Sequence, residues 1–173
     1  MTCTTVAADA SLLAHQGCVI DAAVESFAAV CGMNLTQESG TPPPTGSGHG
    51  ALLGVISLVG DVEWSLTLDL PEAAAVHAAS KFAGCEIPFD SGDMGDAIGE
   101  LTNILAGTAK AKLDACGVKA EISLPTVLRG DRMEVVKSHQ LPSVRHAFAS
   151  PAGPLWVEIV AGKDFVPTRQ CGS

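Results

Sequence analysis

The sequence predicts an α+β fold: two pseudo-symmetric αβ halves sharing a largely antiparallel sheet, with long helices packed on it. Three observations predict it. Ala-rich runs with helical spacing stand near the beginning and in the middle of the chain. Each is followed by β-patterned runs joined by turn residues, the arrangement of hairpins rather than of parallel crossovers. The two main helical runs also share a frame: "DAAVESFAAVCG" begins at Asp21 and "DAIGELTNILAG" at Asp96, with Asp, Ala, Glu and the closing Gly coinciding. Such an echo points to a repeated supersecondary unit. The expected organisation is one domain over residues 1–173, with halves at about 12–84 and 93–162 and a loose tail at 163–173.

The first helix is expected from about Leu12 to Val30, with Gly32 as its stop. "MNLTQE" reads as a short strand. "SGTPPPTGSGHG", Ser39 to Gly50, reads as a flexible loop because Pro and Gly exclude regular structure. Two β-patterned runs flank Gly60-Asp61, a hairpin signal. Pro71 then opens a helix, "PEAAAVHAASKFAG", closed by Gly84. Ser91 or Asp93 can cap the next helix, whose body runs from about Met94 to Cys116 and stops at Gly117. After it the pattern turns to β in "VKAEISLPTVLRG", around "MEVVKS", in "VRHAFAS" and in "PLWVEIVAG", with a turn at "SPAGP".

Composition bounds the function. At 47% hydrophobic and 17% charged the chain can bury a core, and without Tyr that core must rest on Ala, Val, Leu and Ile. A net charge of −9 argues against nucleic acid, which needs clustered Lys and Arg. None of the six cysteines forms a C-x-x-C pair or stands at zinc-ligand spacing from a His. They read as reduced, mostly buried thiols of a cytoplasmic protein. The first residues lack the basic region of a secretory signal, and no apolar run approaches the roughly 18 residues of a membrane span.

The helix from about Met94 to Cys116 carries the chemistry. With Asp96 at zero and about 100° per residue, Glu100, Asn103, Gly107 and Lys110 all fall within about 40° of it. Ala97, Ile98, Leu101, Ile104, Leu105 and Thr108 fall between about 80° and 200°, the core face. A merely solvated stripe would carry good helix formers. Gly costs about 1 kcal/mol relative to Ala in a helix interior, and Asn somewhat less. Gly107 makes sense if another molecule's backbone comes close. Asn103 makes sense if its amide, both donor and acceptor, holds something small.

At these residues the chain resembles the CheC/CheX/FliY family of response-regulator phosphatases, and CheX most. The pattern Asp-x-x-x-Glu-x-x-Asn is met by Asp96, Glu100 and Asn103. "GVISLVGDVEWSLTLDLPEAAAVHAASKFAG" is similar to the family's hairpin and following helix, and "ISLPTVLRG" to the strand, Pro and turn after its catalytic helix. The chain departs from the pattern in a long Pro/Gly loop and in Trp64, where the family often has Gly.

The resemblance implies hydrolysis of the phospho-aspartate of a CheY-type receiver domain. Asn103 would orient the attacking water and Glu100 would pair with the receiver's Lys. Asp96, Gly107 and Lys110 would lie on the partner face, although Asp96 is also placed to offset the helix N-terminal dipole. Mg²⁺ would come with the receiver, so the chain needs no cofactor or metal of its own. A homodimer joined at sheet edges is expected, with "PLWVEIVAG" as an edge. In the first copy Ala28 stands where the second has Asn103, so one active site per chain is expected. The alternatives are a non-catalytic receiver-binding module and a structural adaptor of a flagellar-switch type. A metal site using His139 and His146 lacks ligand spacing, and no Ser has a nucleophile-elbow context.

Overall fold

A computed structural model describes residues 4–46, 50–133, 135–136 and 141–162. Helix α1 spans Thr4–Cys31, eight residues longer at its start than the apolar periodicity predicts, and β1 follows at Thr36–Glu38. The hairpin strands β2 (Ala51–Gly60) and β3 (Glu63–Pro71) turn at Asp61-Val62 and lead into α2 (Glu72–Ala83) and α3 (Gly92–Ala115). Short strands β4 (Ala120–Ile122) and β5 (Thr126–Gly130) come next, then the hairpin β6 (Ser143–Ser150) and β7 (Gly153–Ala161). Of the "MEVVKS" stretch, Met133, Val135 and Val136 are not in a strand; Glu134, Lys137 and Ser138 lie outside the described residues, as does the tail.

The helix ends follow local chemistry. Gly84 closes α2 at φ 72°, its N–H donating to the Ser80 carbonyl. Gly32 follows α1 at φ 61°. Both angles are left-handed, where a side chain is strained. Gly107, the counterpart of Gly32 in the repeated frame, lies inside α3 instead, so the two helices match in face but not in length.

The seven strands form one antiparallel sheet in the order β1-β6-β7-β3-β2-β4, with β5 also pairing with β2. The two long hairpins meet at β7 and β3; the short strand β1 joins the later hairpin at β6, and the short strands β4 and β5 join the earlier one at β2. The sheet's helix side carries Leu52, Ile56, Leu58, Trp64, Leu66, Leu68, Leu70, Phe148, Leu155, Val157 and Ile159, all buried. Trp64 is therefore a core residue. The strand "PLWVEIVAG" is not an edge: β7 lies between β6 and β3, bonded along both sides. Pairing between distant segments set its place, which the alternation of a single strand cannot reveal.

The opposite sheet face hides a polar cluster. Arg145 Nη2 donates to Asp69 Oδ2 at 2.6 Å and Nη1 to Thr45 Oγ1 at 3.0 Å. The Thr45 hydroxyl donates to Glu158 at 2.5 Å, and the Gly46 N–H to Asp69 at 2.9 Å. Trp156 stacks on the guanidinium, 5.1 Å from its ring centre. Thr45 and Gly46 thus depart from the expected flexible loop, because buried carboxylates need donors and this segment supplies them.

Candidate functional site

Helix α3 is set by its two ends and by one close approach. Ser91 is the N-cap, its hydroxyl accepting from the Met94 N–H at 3.2 Å, so the capping residue is Ser91 and not Asp93. Arg129 on β5 donates to the Phe89 and Ser91 carbonyls, both at 2.8 Å, and so ties the start of the helix to the sheet. In the middle, Thr102 lies over Gly54 of β2. A Cβ at Gly54 would stand 1.9 Å from the Thr102 hydroxyl oxygen, which donates to the Ile98 carbonyl at 2.7 Å. Any side chain at Gly54 would push the helix off the sheet. Gly54 inside a β-run is the sort of signal that marks close backbone approach; nothing in the sequence near Arg129 marks its role.

Packing narrows the open face of α3. The buried positions include Met94, Ala97, Ile98, Gly99, Leu101, Thr102, Leu105, Ala106 and Ala109. Ile104 and Thr108, expected in the core, are only half-buried. Gly99 and Thr102 are covered because Val127 and Pro125 flank one side and Gly54 lies beneath. What remains is the stripe of Asp96 and Glu100, both exposed, and Asn103, Gly107 and Lys110, half-buried. All five positions read from the sequence thus share one open face.

Their attachments differ. Among the described residues, Asp96, Glu100 and Asn103 make no side-chain hydrogen bond or ion pair. Lys110 is engaged within the chain, 2.5 Å from Glu121. Lys112 is 2.6 Å from Glu25 on α1, and that hydrogen bond, chiefly, raises its pKa. The exposed upper stripe is therefore acidic, while the cations of the lower helix are matched. Beside Asp96 a shallow cavity of about 370 Å³ is lined by Phe82, Ala83, Cys85, Glu86, Ile87, Asp93, Asp96 and Ala97. Among the described residues no group of three His, Cys, Asp or Glu could hold a metal ion, and His139 lies outside them. Nor is any described helix long and apolar enough to cross a membrane.

A Cβ at Gly107 would meet nothing within 4 Å, so the fold itself does not require Gly there. Gly107→Ala should stabilise the protein by about 0.5–1 kcal/mol, seen as a higher Tm, through helix propensity alone. If a partner's backbone comes close at this point, the same change weakens partner binding. A Tm gain with unchanged binding and turnover would remove the clearance role.

A hairpin-built antiparallel sheet backed by two long helices, one presenting Glu and Asn three positions apart, defines the CheC-like class of proteins. Solved structures bear out the fold. A CheC-like superfamily protein from Shewanella sp. PV-4 matches with a TM-score of 0.76 at 21% identity, over 86% of this chain and 97% of that one. CheX from Vibrio vulnificus matches with a TM-score of 0.74 at 19% identity, over 84% and 97%. CheX from Borrelia burgdorferi, solved in complex with CheY, BeF3 and Mg²⁺, matches with a TM-score of 0.65 at 22% identity, over 85% and 97%. The sequence model of the family described as Chemotaxis phosphatase CheX matches residues 52–149, more than half of the 173, and the chain belongs to that family. A comparison with curated protein sequences returns no match.

Proposed function

We propose that the chain is a cytoplasmic phosphatase that hydrolyses the phospho-aspartate of a CheY-type receiver domain, with Glu100 and Asn103 as its working residues. The observation that carries this is the stripe itself. In a member of a chemotaxis phosphatase family, a carboxylate and an amide stand on one open helix face without a partner among the described residues. The Borrelia burgdorferi relative, solved with CheY, supports a receiver as the partner class.

The chemistry suits these side chains. An acyl phosphate is already activated, so the reaction needs positioning more than acid or base help. The Asn103 amide holds a water by hydrogen bonding, without a tuned pKa, and aims its oxygen at phosphorus opposite the aspartyl oxygen. Attack forms the new P–O bond as the P–O bond to the aspartate breaks, releasing inorganic phosphate and a free carboxylate. Glu100, one turn away on the same face, pairs with a Lys of the receiver and fixes the approach. The receiver brings the Mg²⁺ that balances phosphoryl charge.

The test is the decay of a panel of phosphorylated receivers with and without the protein. Faster decay of at least one supports the reading. Stable binding without faster decay overturns it in favour of an adaptor.

Charge pairing predicts an order among variants. Glu100→Ala should weaken receiver binding about tenfold, and Glu100→Lys further, because it sets like charges face to face. Glu25→Ala should leave turnover within about twofold, since an exposed ion pair such as that with Lys112 contributes little. Equal binding by Glu100→Lys and the unsubstituted protein would refute the pairing. A large loss from Glu25→Ala would show that the α1 face also works.

We further propose a homodimer, now assigned to the β4–β5 side of the sheet, where Leu124 is 89% and Leu128 47% exposed. Light scattering at micromolar concentration should report twice the 17.6 kDa chain mass. A monomer would count against it.

A further inference from the structure

Helices α1 and α3 run antiparallel along a seam of paired side chains. Ser26 donates to Thr108 at 3.1 Å and Lys112 pairs with Glu25 at 2.6 Å. One step further along the seam, Cys18 Sγ and Cys116 Sγ lie 3.9 Å apart. The expectation of mostly buried thiols fails here. Of the four described cysteines, Cys31 is buried, Cys18 is half-buried, and Cys85 and Cys116 are exposed.

We propose that Cys18 and Cys116 are a modification site, a dithiol that a low-molecular-weight disulfide converts reversibly to an intramolecular disulfide joining α1 to α3. The two sulfurs are already in contact, and closing the gap to a bond of about 2 Å asks for side-chain rotation and a small backbone shift. Cys116 is the C-cap of α3, outside the regular helix, and Gly117 follows at φ 81°. The other cysteines are less suited. Cys31 is buried, which pushes its thiol up to about 11. Cys85 stands in the connection between α2 and α3 and makes no sulfur contact with another described cysteine.

Accessibility orders the exchange. The exposed Cys116 thiolate attacks one sulfur of the small disulfide, forming a mixed disulfide and releasing one small thiol. Burial, ahead of the neighbouring Cys116 sulfur, raises the Cys18 thiol, so it is slow to attack a free disulfide; its place 3.9 Å from Cys116 Sγ makes the second step intramolecular. Cys18 gives up its proton, attacks Cys116 Sγ and expels the second small thiol. Two protein thiols are oxidised and one small disulfide is reduced to two thiols. The bond closes a loop between positions 98 residues apart, so it restrains much of the unfolded chain. It lies about 20 Å along the helix from Asn103. Its effect is therefore to hold α3 against α1, and the inference does not depend on the phosphatase reading.

The test equilibrates the full chain with mixtures of oxidised and reduced glutathione, then combines non-reducing peptide mapping with thermal melts. We expect a linked peptide pair containing Cys18 and Cys116, a Tm rise of about 10 °C, and reversal of both by dithiothreitol. Cys18→Ser and Cys116→Ser should each abolish the link and the shift. Recovery of Cys116 only as its glutathione adduct, bridging through another cysteine, or two free thiols at the highest disulfide ratio would overturn the proposal. A linked pair with no gain in Tm would overturn the stapling of the two helices.

Discussion

Asn103→Ala is expected to reduce the acceleration of receiver dephosphorylation by about 10²–10³-fold while the protein folds and still binds a stably phosphorylated receiver analogue. The size follows from removing one preorganised hydrogen-bonding group from a reaction that depends on positioning. Folding should be unharmed, because Asn103 has no side-chain partner among the described residues and Ala is the better helix former. An unchanged or slightly raised Tm together with lost turnover is the pattern of a residue kept for function rather than stability. Three readouts separate the possibilities. Decay rates equal to those of the unsubstituted protein would end the water-positioning role. Lost binding would make Asn103 a docking residue. Lost folding would show a structural duty that the described contacts do not contain. Because Ala28 stands in the corresponding place on α1 and cannot form a hydrogen bond, that face should not rescue the variant.

Arg145→Ala is expected to cost about 3–5 kcal/mol of stability, the range for a buried ion pair that loses one partner. Asp69 is 2% exposed. Without the guanidinium its carboxylate would keep the Gly46 N–H at 2.9 Å but no opposite charge at contact distance within the cluster described above. At roughly 2–4 °C per kcal/mol for a chain of this size, Tm should fall by about 10 °C. Asp69→Asn combined with Arg145→Met should cost less than Arg145→Ala alone, because no charge is then stranded. A loss below about 1 kcal/mol for Arg145→Ala would mean that the cluster opens to water readily. Whatever its stability, the folded variant should keep its turnover. Asp69 faces away from the helix side of the sheet, where Gly54 receives Thr102 of α3.

The legible parts of this protein are those that local physics determines. Gly84 and Gly32 end helices because a residue in the left-handed region needs no Cβ, and Ser91 starts α3 because its hydroxyl reaches the Met94 N–H. The stripe from Asp96 to Lys110 was readable because helical spacing alone brings those positions onto one face. Its unusual residues, Asn103 and Gly107, were legible as departures from helix propensity. Even there the sequence could not tell which members are occupied: Lys110 meets Glu121, which packing brings close from the following strand.

The tertiary structure decided everything that depends on which distant segments meet. In strands, alternation tells which residues share a face but not which strand lies alongside or what covers the far side. Thus β7 carries an ordinary strand pattern and proves central. Asp69, Arg145 and Glu158 occupy positions that alternation assigns to the outer face, and become buried because Thr45 and Gly46 fold over them. Cys18 and Cys116 meet only because α1 packs antiparallel to α3. Local preferences act within a turn or two, whereas these contacts join residues tens of positions apart. Their burial follows from the packing of whole helices and strands, and no short stretch of sequence records it.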